Sequence, residues 1–150
     1  MGLPQQYEDE EYMRIALQEA RAAMAEGEIP IGAIVVGHGR ILGRGHNLTQ
    51  ALADVTAHAE MQAITAATQY VGGKYLKDCT LYVTVEPCLM CAGAIAWAQV
   101  SRIVYGAADE KRGYACQVAR SPFHPKAQVL GGVLADECRA LMQSFFSTLR

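Results

Sequence analysis

Apolar side chains recur along this chain with two periods, one typical of helices and one typical of strands. In the first segment, Met13, Leu17 and Met24 follow helical spacing, and Gly27 then supplies a stop. The helical period predicts four helices, over residues 9–26, 57–69, 88–99 and 134–149. Short apolar and β-branched runs predict five strands, over residues 31–36, 41–45, 80–85, 102–105 and 127–133.

The order of these elements indicates the fold class. A helix, a hairpin and then alternating helices and strands predict an α/β fold, in which helices cover both faces of a mixed sheet of about five strands. Asp54 or Thr56 is expected to cap the second helix, and residues 106–125 are expected to be mostly loop. Because 150 residues suit one domain and no linker or repeat interrupts them, we expect a single domain over residues 1–150.

Composition narrows the class of protein. Hydrophobic residues make up 51% of the chain and charged residues 19%, which is typical of a globular protein. No apolar run approaches the roughly 20 residues of a membrane span, and the first residues lack the features of a secretory signal. We therefore expect a cytoplasmic protein. A close C-x-x-C among five cysteines argues against a disulfide scaffold, so Cys79, Cys116 and Cys138 are expected to be reduced core residues.

The charge balance limits how the chain could bind nucleic acid. A formal net charge of −2 gives no overall attraction to phosphate. Any such binding must therefore come from a local basic surface. The candidates are six cations in the second half of the chain, namely Arg102, Lys111, Arg112, Arg120, Lys126 and Arg150.

Two short clusters, about thirty residues apart, carry the candidate chemistry. They are His58-Ala59-Glu60 and Pro87-Cys88-Leu89-Met90-Cys91, which together read H-x-E…P-C-x-x-C. This pattern is typical of zinc nucleobase deaminases. Two thiolates and one imidazole supply three zinc ligands, and a catalytic zinc site keeps its fourth position for water. The predicted ligands are His58, Cys88 and Cys91.

Glu60 completes the predicted site. It lies two residues after His58, so its side chain points away from the ligand direction, which suits a base beside the metal. Both clusters open predicted helices, whose positive ends favour thiolates. A structural zinc site would want a fourth Cys or His, and His38, His46 and His124 stand in turns or loops without ligand spacing. The sequence therefore favours a catalytic zinc over a structural one.

The stretches around these clusters resemble the cytidine deaminase-like superfamily, and more closely the bacterial tRNA-specific adenosine deaminases. They are GEIPIGA (27–33), HN (46–47), DVTAHAE (54–60), LYVTVEPCLMCAGA (81–94) and LADEC (134–138). The resemblance implies a three-layer α/β/α sandwich and a homodimer with one zinc per subunit. It also implies hydrolytic conversion of the wobble adenosine of transfer RNA to inosine, with the anticodon loop as the partner and Glu60 as the proton shuttle.

The same resemblance assigns substrate contacts. Asn47 matches a base-contacting asparagine, and Asp109 matches an acidic residue near the anticodon loop. Pocket walls are matched by Ile29, Pro30 and Val85. From the residues alone, Asn47 could instead be a loop residue with a local hydrogen bond, and Asp109 could be a solvated loop residue.

Large aromatic side chains could contact a ligand, but packing in the core or at an interface is the alternative role for each of them. Trp97 is expected in the core or at a dimer interface. One of the adjacent residues Phe145 and Phe146 is expected in the core, because neighbours on a helix cannot share one face. The apolar stretch over residues 94–98 exceeds what one monomer face requires, which favours a two-fold interface.

Two other functions remain open at this point. A guanine deaminase, or another free nucleobase or nucleotide deaminase, shares the motif, and guanine deaminases also share an asparagine like Asn47. Free cytidine deaminases typically have Cys where this chain has His58. A zinc-stabilised RNA-binding module without catalysis is the second alternative, and Glu60 argues against it because such a module has no need of a base. Val55 replaces the proline usual in the family, which should loosen its loop slightly.

Overall fold

The computed structural model describes residues 4–149. In chain order the elements are α1 (Gln5–Ala25), β1 (Gly32–Gly37), β2 (Arg40–His46), α2 (Ala59–Val71), β3 (Cys79–Val85), α3 (Leu89–Trp97), β4 (Arg102–Ala107), α4 (Tyr114–Gln117), β5 (Gln128–Leu130) and α5 (Ala135–Thr148). The strands form one sheet in the order β2-β1-β3-β4-β5. β1 is antiparallel to both of its neighbours, whereas β3, β4 and β5 are parallel, so the sheet is mixed as predicted.

Helices cover both faces of the sheet, which confirms the predicted α/β/α sandwich. On one face, α1 and α5 pack against the sheet around Met13 and Ile34. On the other face, α2 and α3 pack around Ala63 and Val35. The adjacent residues Ile34 and Val35 of β1 therefore enter opposite clusters, as the pleat of a strand requires. β1 is buried along its whole length because it lies between two helical layers.

The elements differ from the predicted ones mainly at their ends. α1 begins at Gln5, earlier than predicted, because polar residues there carry no apolar signal. The carbonyl of Pro4 starts this helix by accepting the N–H groups of Tyr7 at 2.9 Å and Glu8 at 3.2 Å. α4 lies within the segment predicted as loop. β5 is shorter than the predicted strand, and its residues are exposed, as suits the edge of the sheet.

The cap predicted for α2 is wrong. His58 is the N-cap residue of this helix. Asp54 instead fixes the preceding loop, because its Oδ1 accepts the N–H of Thr56 at 2.8 Å and the hydroxyl of Thr56 at 2.7 Å. Val55 is 84% exposed between them. The Asp54–Thr56 bonds thus hold the loop on both sides of Val55.

Asp9 is a buried carboxylate that ties α1 to β3 and β4. Arg102 donates to its two oxygens at 2.6 and 2.7 Å, and the Tyr82 hydroxyl donates to it at 2.8 Å. Burial alone would raise the pKa of Asp9, but these bonds outweigh it and lower the pKa. Arg102 is therefore committed to the fold, and its prediction as a phosphate contact is wrong.

Two other expectations about single side chains are also corrected or narrowed. Cys79 and Cys138 are buried as predicted, but Cys116 is exposed because it lies on the short surface helix α4. Trp97 is 84% exposed, which rules out the core alternative and leaves the dimer interface as a prediction. It is the last residue of α3.

α5 presents one apolar side to the sheet. Cys138 and Phe145 are buried on this helix, whereas Phe146 is exposed, as predicted for adjacent aromatic residues. Within residues 4–149, no helix combines the length and the apolar character needed to span a bilayer.

α2 lies directly on the backbone of β2. A Cβ atom at Gly43 would lie 2.5 Å from the carbonyl oxygen of Ala63 and 2.5 Å from the backbone nitrogen of Ala67. A Cβ at Gly45 would lie 2.6 Å from the backbone nitrogen of Ala63. The small residues of both elements thus allow an approach that any larger side chain would prevent. This contact fixes where α2 begins.

We expect Gly43→Ala to lower the free energy of unfolding by about 1–3 kcal/mol, the usual cost of overpacking. The added methyl group has no side chain to displace, because its nearest neighbours are backbone atoms of α2. Urea denaturation followed by circular dichroism measures the change. Gly73→Ala is the matched control, because a Cβ at Gly73 meets nothing within 4 Å. Equal stability of the two variants would contradict the close approach.

Candidate metal centre

Three side chains suited to metal binding converge where α2 and α3 begin. His58 and Cys88 are the N-cap residues of these helices, and Cys91 lies in the first turn of α3. The Nδ1 atom of His58 lies 3.6 Å from Sγ of Cys88 and 3.5 Å from Sγ of Cys91. Their ligand atoms all lie within 4.8 Å of one another, and no other such group occurs within residues 4–149. The structure therefore brings the three predicted ligands together.

The two cysteines differ in acidity. A hydrogen bond from the Cys91 thiol lowers the pKa of Cys88 to about 4 despite burial, with a further contribution from His58. The same bond, together with burial, raises the pKa of Cys91. The bond with Cys88 also raises the pKa of His58, although burial opposes it. A metal that binds all three must therefore displace the proton of Cys91 and compete with protonation of His58.

Glu60 lies in the first turn of α2, beside the three ligands. Its side chain is 4% exposed. Burial raises the pKa of Glu60 to about 7; its own backbone N–H and His58 oppose the rise, while the charge of Cys88 adds to it. A carboxyl with this pKa can both accept and return a proton at neutral pH, which is the property of a general acid–base group.

Asn47 lies at the start of the loop that joins β2 to α2. The side chain is 4% exposed, and its Oδ1 accepts the N–H of Thr49 at 3.4 Å. The next residue, Leu48, donates its N–H to the carbonyl of Ala57 at 2.9 Å. Asn47 therefore makes the local hydrogen bond expected of a loop residue. The Leu48–Ala57 bond also holds the loop against the residue that precedes His58.

The predicted wall residues lie at the edge of the sheet where β1 begins and β3 ends. Pro30 and Val85 are buried, and Ile29 is half-buried. Ile29 and Pro30 come just before β1, and Val85 ends β3. Because β1 and β3 are antiparallel, the start of one lies beside the end of the other, and the N–H of Gly32 donates to Oγ1 of Thr84 at 3.2 Å. This is the edge from which the chain continues to the ligand-bearing α3.

The segment that carries Asp109 packs against the same edge. Oδ1 of Asp109 accepts the N–H groups of Lys111 at 3.1 Å and Arg112 at 3.0 Å, which holds the turn of its own loop. Tyr114 then donates its N–H to the carbonyl of Pro87 at 2.9 Å. This loop is thus bonded to the residue that immediately precedes the ligand Cys88.

Two buried glutamates near the site escaped the sequence reasoning. Glu28 is 1% exposed and Glu86 is 6% exposed, and each carboxylate accepts two backbone N–H groups. A signal was available. Each glutamate has a proline one or two positions later and an apolar neighbour, Ile29 or Val85, that is half-buried or buried.

His46 is the last residue of β2 and takes no part in the metal site. Its Nδ1 lies 3.0 Å from Glu19 and its Nε2 lies 3.1 Å from Glu26, which ties β2 to the second half of α1. Burial would lower the pKa of His46, but the two carboxylates outweigh it and raise the pKa. Its exclusion from the predicted ligands agrees with this placement.

Comparison with known proteins places this geometry in a family. Residues 7–150 match the MafB19-like deaminases. The chain belongs to that family. A tRNA-specific adenosine deaminase of Bacillus subtilis (strain 168) is 42% identical over 147 residues, which cover 95% of this chain and 91% of that protein.

Solved structures of deaminases share the fold. One comes from a study of A-to-I editing by tRNA:A34 deaminases at the wobble position of transfer RNA. It is 40% identical, covers 87% of this chain and 98% of its own, and superposes with a TM-score of 0.81. The guanine deaminase of Bacillus subtilis is 37% identical, covers 73% of this chain and 69% of its own, and superposes with a TM-score of 0.65.

We expect this deaminase to bind its metal more weakly as the pH is lowered from 8 to 5. The raised pKa values of Cys91 and His58 mean that protons compete with the metal, so acid favours dissociation. Each displaced proton should cost about tenfold in affinity per pH unit. Elemental analysis after dialysis against a weak chelator measures this. Cys116→Ser should follow the wild-type profile, and a flat profile for both proteins would contradict the ligand assignment.

Proposed function

We propose that this chain is a zinc-dependent deaminase that converts the wobble adenosine of a transfer RNA to inosine, with residues 1–150 as one deaminase domain. The observation that carries the proposal is the buried carboxyl of Glu60 beside the His58, Cys88 and Cys91 group. This arrangement occurs in a chain that is 42% identical to a tRNA-specific adenosine deaminase.

The ligand set supports zinc as the metal. Two thiolates and one imidazole are a common zinc set, with Zn–S near 2.3 Å and Zn–N near 2.0–2.1 Å. In a tetrahedral site these bond lengths place a nitrogen and a sulfur ligand about 3.6 Å apart. Nδ1 of His58 lies 3.6 and 3.5 Å from the two sulfur atoms. When bound, zinc supplies the Lewis acidity that lowers the pKa of water and makes it a nucleophile near neutral pH.

Glu60 moves the protons of the proposed reaction. The oxygen of water bonds to C6 of adenine, and Glu60 accepts one proton from that water and delivers it to ring N1. Glu60 then carries the second proton to the exocyclic nitrogen, the C6–N6 bond breaks and ammonia leaves. A pKa raised to about 7 suits a group that must accept a proton and return it in the same cycle.

Asn47 and the sheet edge form the proposed base pocket. The amide of Asn47 offers both a donor and an acceptor to the edge of a base. Ile29, Pro30 and Val85 supply apolar walls for an unstacked adenine. The base of an anticodon loop is already outside a duplex, so little unpairing is needed to reach this pocket.

The proposed RNA surface lies on the loop that follows β4 and on the segment after α4. Lys111 and Arg112 are exposed beside Asp109, and Arg120 and Lys126 are exposed further along. The remaining predicted cation, Arg150, lies outside the described residues. These side chains form the local basic surface that a chain with a net charge of −2 requires.

We also propose a homodimer built on α3. Leu89, Met90 and Trp97 of this helix are exposed by 43%, 38% and 84%, although all are large and apolar. We expect a dimer in light scattering at micromolar concentration. Trp97→Lys should shift it toward the monomer, whereas Phe146→Lys, at an exposed aromatic on α5, should not. A wild-type protein that is monomeric under these conditions would count against the interface.

Because transfer RNA is a cytoplasmic molecule in bacteria, a transfer RNA substrate predicts a cytoplasmic protein.

A guanine deaminase is the second candidate. The 37% identity to the Bacillus guanine deaminase supports it, because the sequences and folds of the two activities overlap in this range. The substrate assay below separates them. A zinc-stabilised module without catalysis has less support, because burying Glu60 without using it would be costly.

We expect the wild-type protein to form inosine on an anticodon stem-loop and to leave free guanine and cytidine largely unchanged. Glu60→Gln should keep the metal and the fold while lowering kcat by about 10²–10⁴, the usual contribution of a general acid–base group. Elemental analysis and chromatography of digested RNA provide the two readouts. Efficient turnover of free guanine with no reaction on the stem-loop would replace the proposal with the guanine deaminase.

Contacts to the base and to the backbone should respond differently to salt. Lys111→Ala should weaken stem-loop binding and flatten the dependence of log Kd on log salt by about one unit, because it removes one phosphate contact. Asn47→Ala should lower turnover and leave that slope unchanged, because its partner is a base edge. Fluorescence anisotropy across a salt series measures both. A change of slope in Asn47→Ala would show that the base-edge assignment is wrong.

A further inference from the structure

Glu28 and Glu86 are buried carboxylates without a role in the proposed chemistry. Buried charged residues are rare unless they are paired. Neither carboxylate contacts a cation among the described hydrogen bonds and ion pairs. Each is instead satisfied by backbone N–H groups of a loop far away in sequence. Both loops lie beside the proposed site.

Glu86 accepts two hydrogen bonds from the loop that carries Asp109. Its Oε1 accepts the N–H of Asp109 at 3.1 Å, and its Oε2 accepts the N–H of Ala115 at 3.0 Å. The two bonds span the whole turn from the end of β4 to α4. Gly113 lies against the carboxylate so closely that a Cβ there would collide with it. A bridge between Gly113 and Cys88 completes the contact, so the loop is seated on a metal-ligand residue.

Glu28 grips the loop that begins with Asn47. Its Oε1 accepts the N–H of Gln50 at 3.0 Å, and its Oε2 accepts the N–H of Ala51 at 2.8 Å. Glu28 lies three residues after the end of α1 and immediately before the predicted wall residues Ile29 and Pro30. This loop therefore rests on the same stretch of chain that forms the proposed pocket wall.

We propose that Glu28 and Glu86 are paired positioning residues that hold the two substrate loops in register with the metal centre. Glu86 fixes the loop proposed to contact RNA, and Glu28 fixes the loop proposed to contact the base. This division of roles rests on the proposed function, whereas the two anchors themselves rest only on the hydrogen bonds. Glu86 thereby bonds its loop at Asp109 and at Ala115, whereas Glu28 bonds its loop at the adjacent residues Gln50 and Ala51.

The chemistry of the anchor requires a carboxylate. Each oxygen meets one N–H donor, and a carboxylate offers two acceptor oxygens. A glutamine of the same size offers one oxygen and one NH₂ group, so one backbone N–H would then face a donor. Glu86→Gln and Glu28→Gln therefore remove one bond each at constant volume, and each variant is the matched control for the other.

Amide hydrogen exchange tests the anchors without any substrate. In E86Q, exchange over residues 108–117 should accelerate about tenfold or more, while exchange over residues 48–53 stays at the wild-type rate. E28Q should show the reverse pattern. G113A supplies a second route, because it displaces the loop from an intact Glu86 at a residue whose φ of −62° also suits alanine. It should reproduce the E86Q pattern. Acceleration spread over both loops and the sheet in all three variants, with loss of metal, would show a general structural role and overturn the proposal. So would unchanged exchange in all three.

Kinetics on the anticodon stem-loop separates the two roles. E86Q should raise KM about tenfold with kcat nearly unchanged, because its loop binds RNA away from the reacting base. E28Q should lower kcat more than it raises KM, because its loop carries Asn47. Equal effects of both variants on both constants would contradict the division of roles. If the wild-type protein fails to act on the stem-loop, the proposed function is wrong, and the exchange patterns still decide whether the anchors exist.

Discussion

The close contact between α2 and β2 determines where the side chains of His58 and Glu60 can lie. α2 carries His58 as its N-cap and Glu60 in its first turn, so the position of the whole helix sets both side chains. Gly43 and Gly45 leave only backbone for the helix to rest on. Convergence with Cys88 and Cys91 depends on this contact too. The three ligand atoms meet only if α2 begins at the same edge of the sheet as α3.

The sheet supplies the second half of that geometry. β3 and β4 are parallel, and the chain leaves the end of β3 directly into Pro87 and Cys88. The opposite end of these strands is locked by the buried pair of Asp9 and Arg102 with Tyr82. Charge is thus buried at both ends of the sheet for different purposes. At one end it is paired and fixes α1, and at the other the carboxyl of Glu60 is buried beside the three converging side chains of His58, Cys88 and Cys91.

The sequence predicts the parts of this protein that have a local signal. The periodic runs locate the strands and the long helices, and the H-x-E and C-x-x-C spacing identifies residues that the fold brings together. The pair of Asp9 and Arg102 leaves no such signal, since 93 positions separate its members. α4 leaves no signal either, because a helix of four residues is too short for apolar positions to repeat at the helical period. Glu28 and Glu86 lie between these cases, because a glutamate among apolar neighbours marks a buried charge but not its partner.

The way in which Glu28 and Glu86 hold their loops has a consequence for how such enzymes diverge. Both grip backbone N–H groups, which every residue except proline provides. The anchorage is therefore insensitive to most loop side chains, with Gly113 as an exception because of its contact with the carboxylate. Substitutions can accumulate on the surfaces that meet a substrate while the loop backbones keep their shape. A common scaffold can in this way acquire a new substrate through changes in its loops, without any change in the residues that hold the metal.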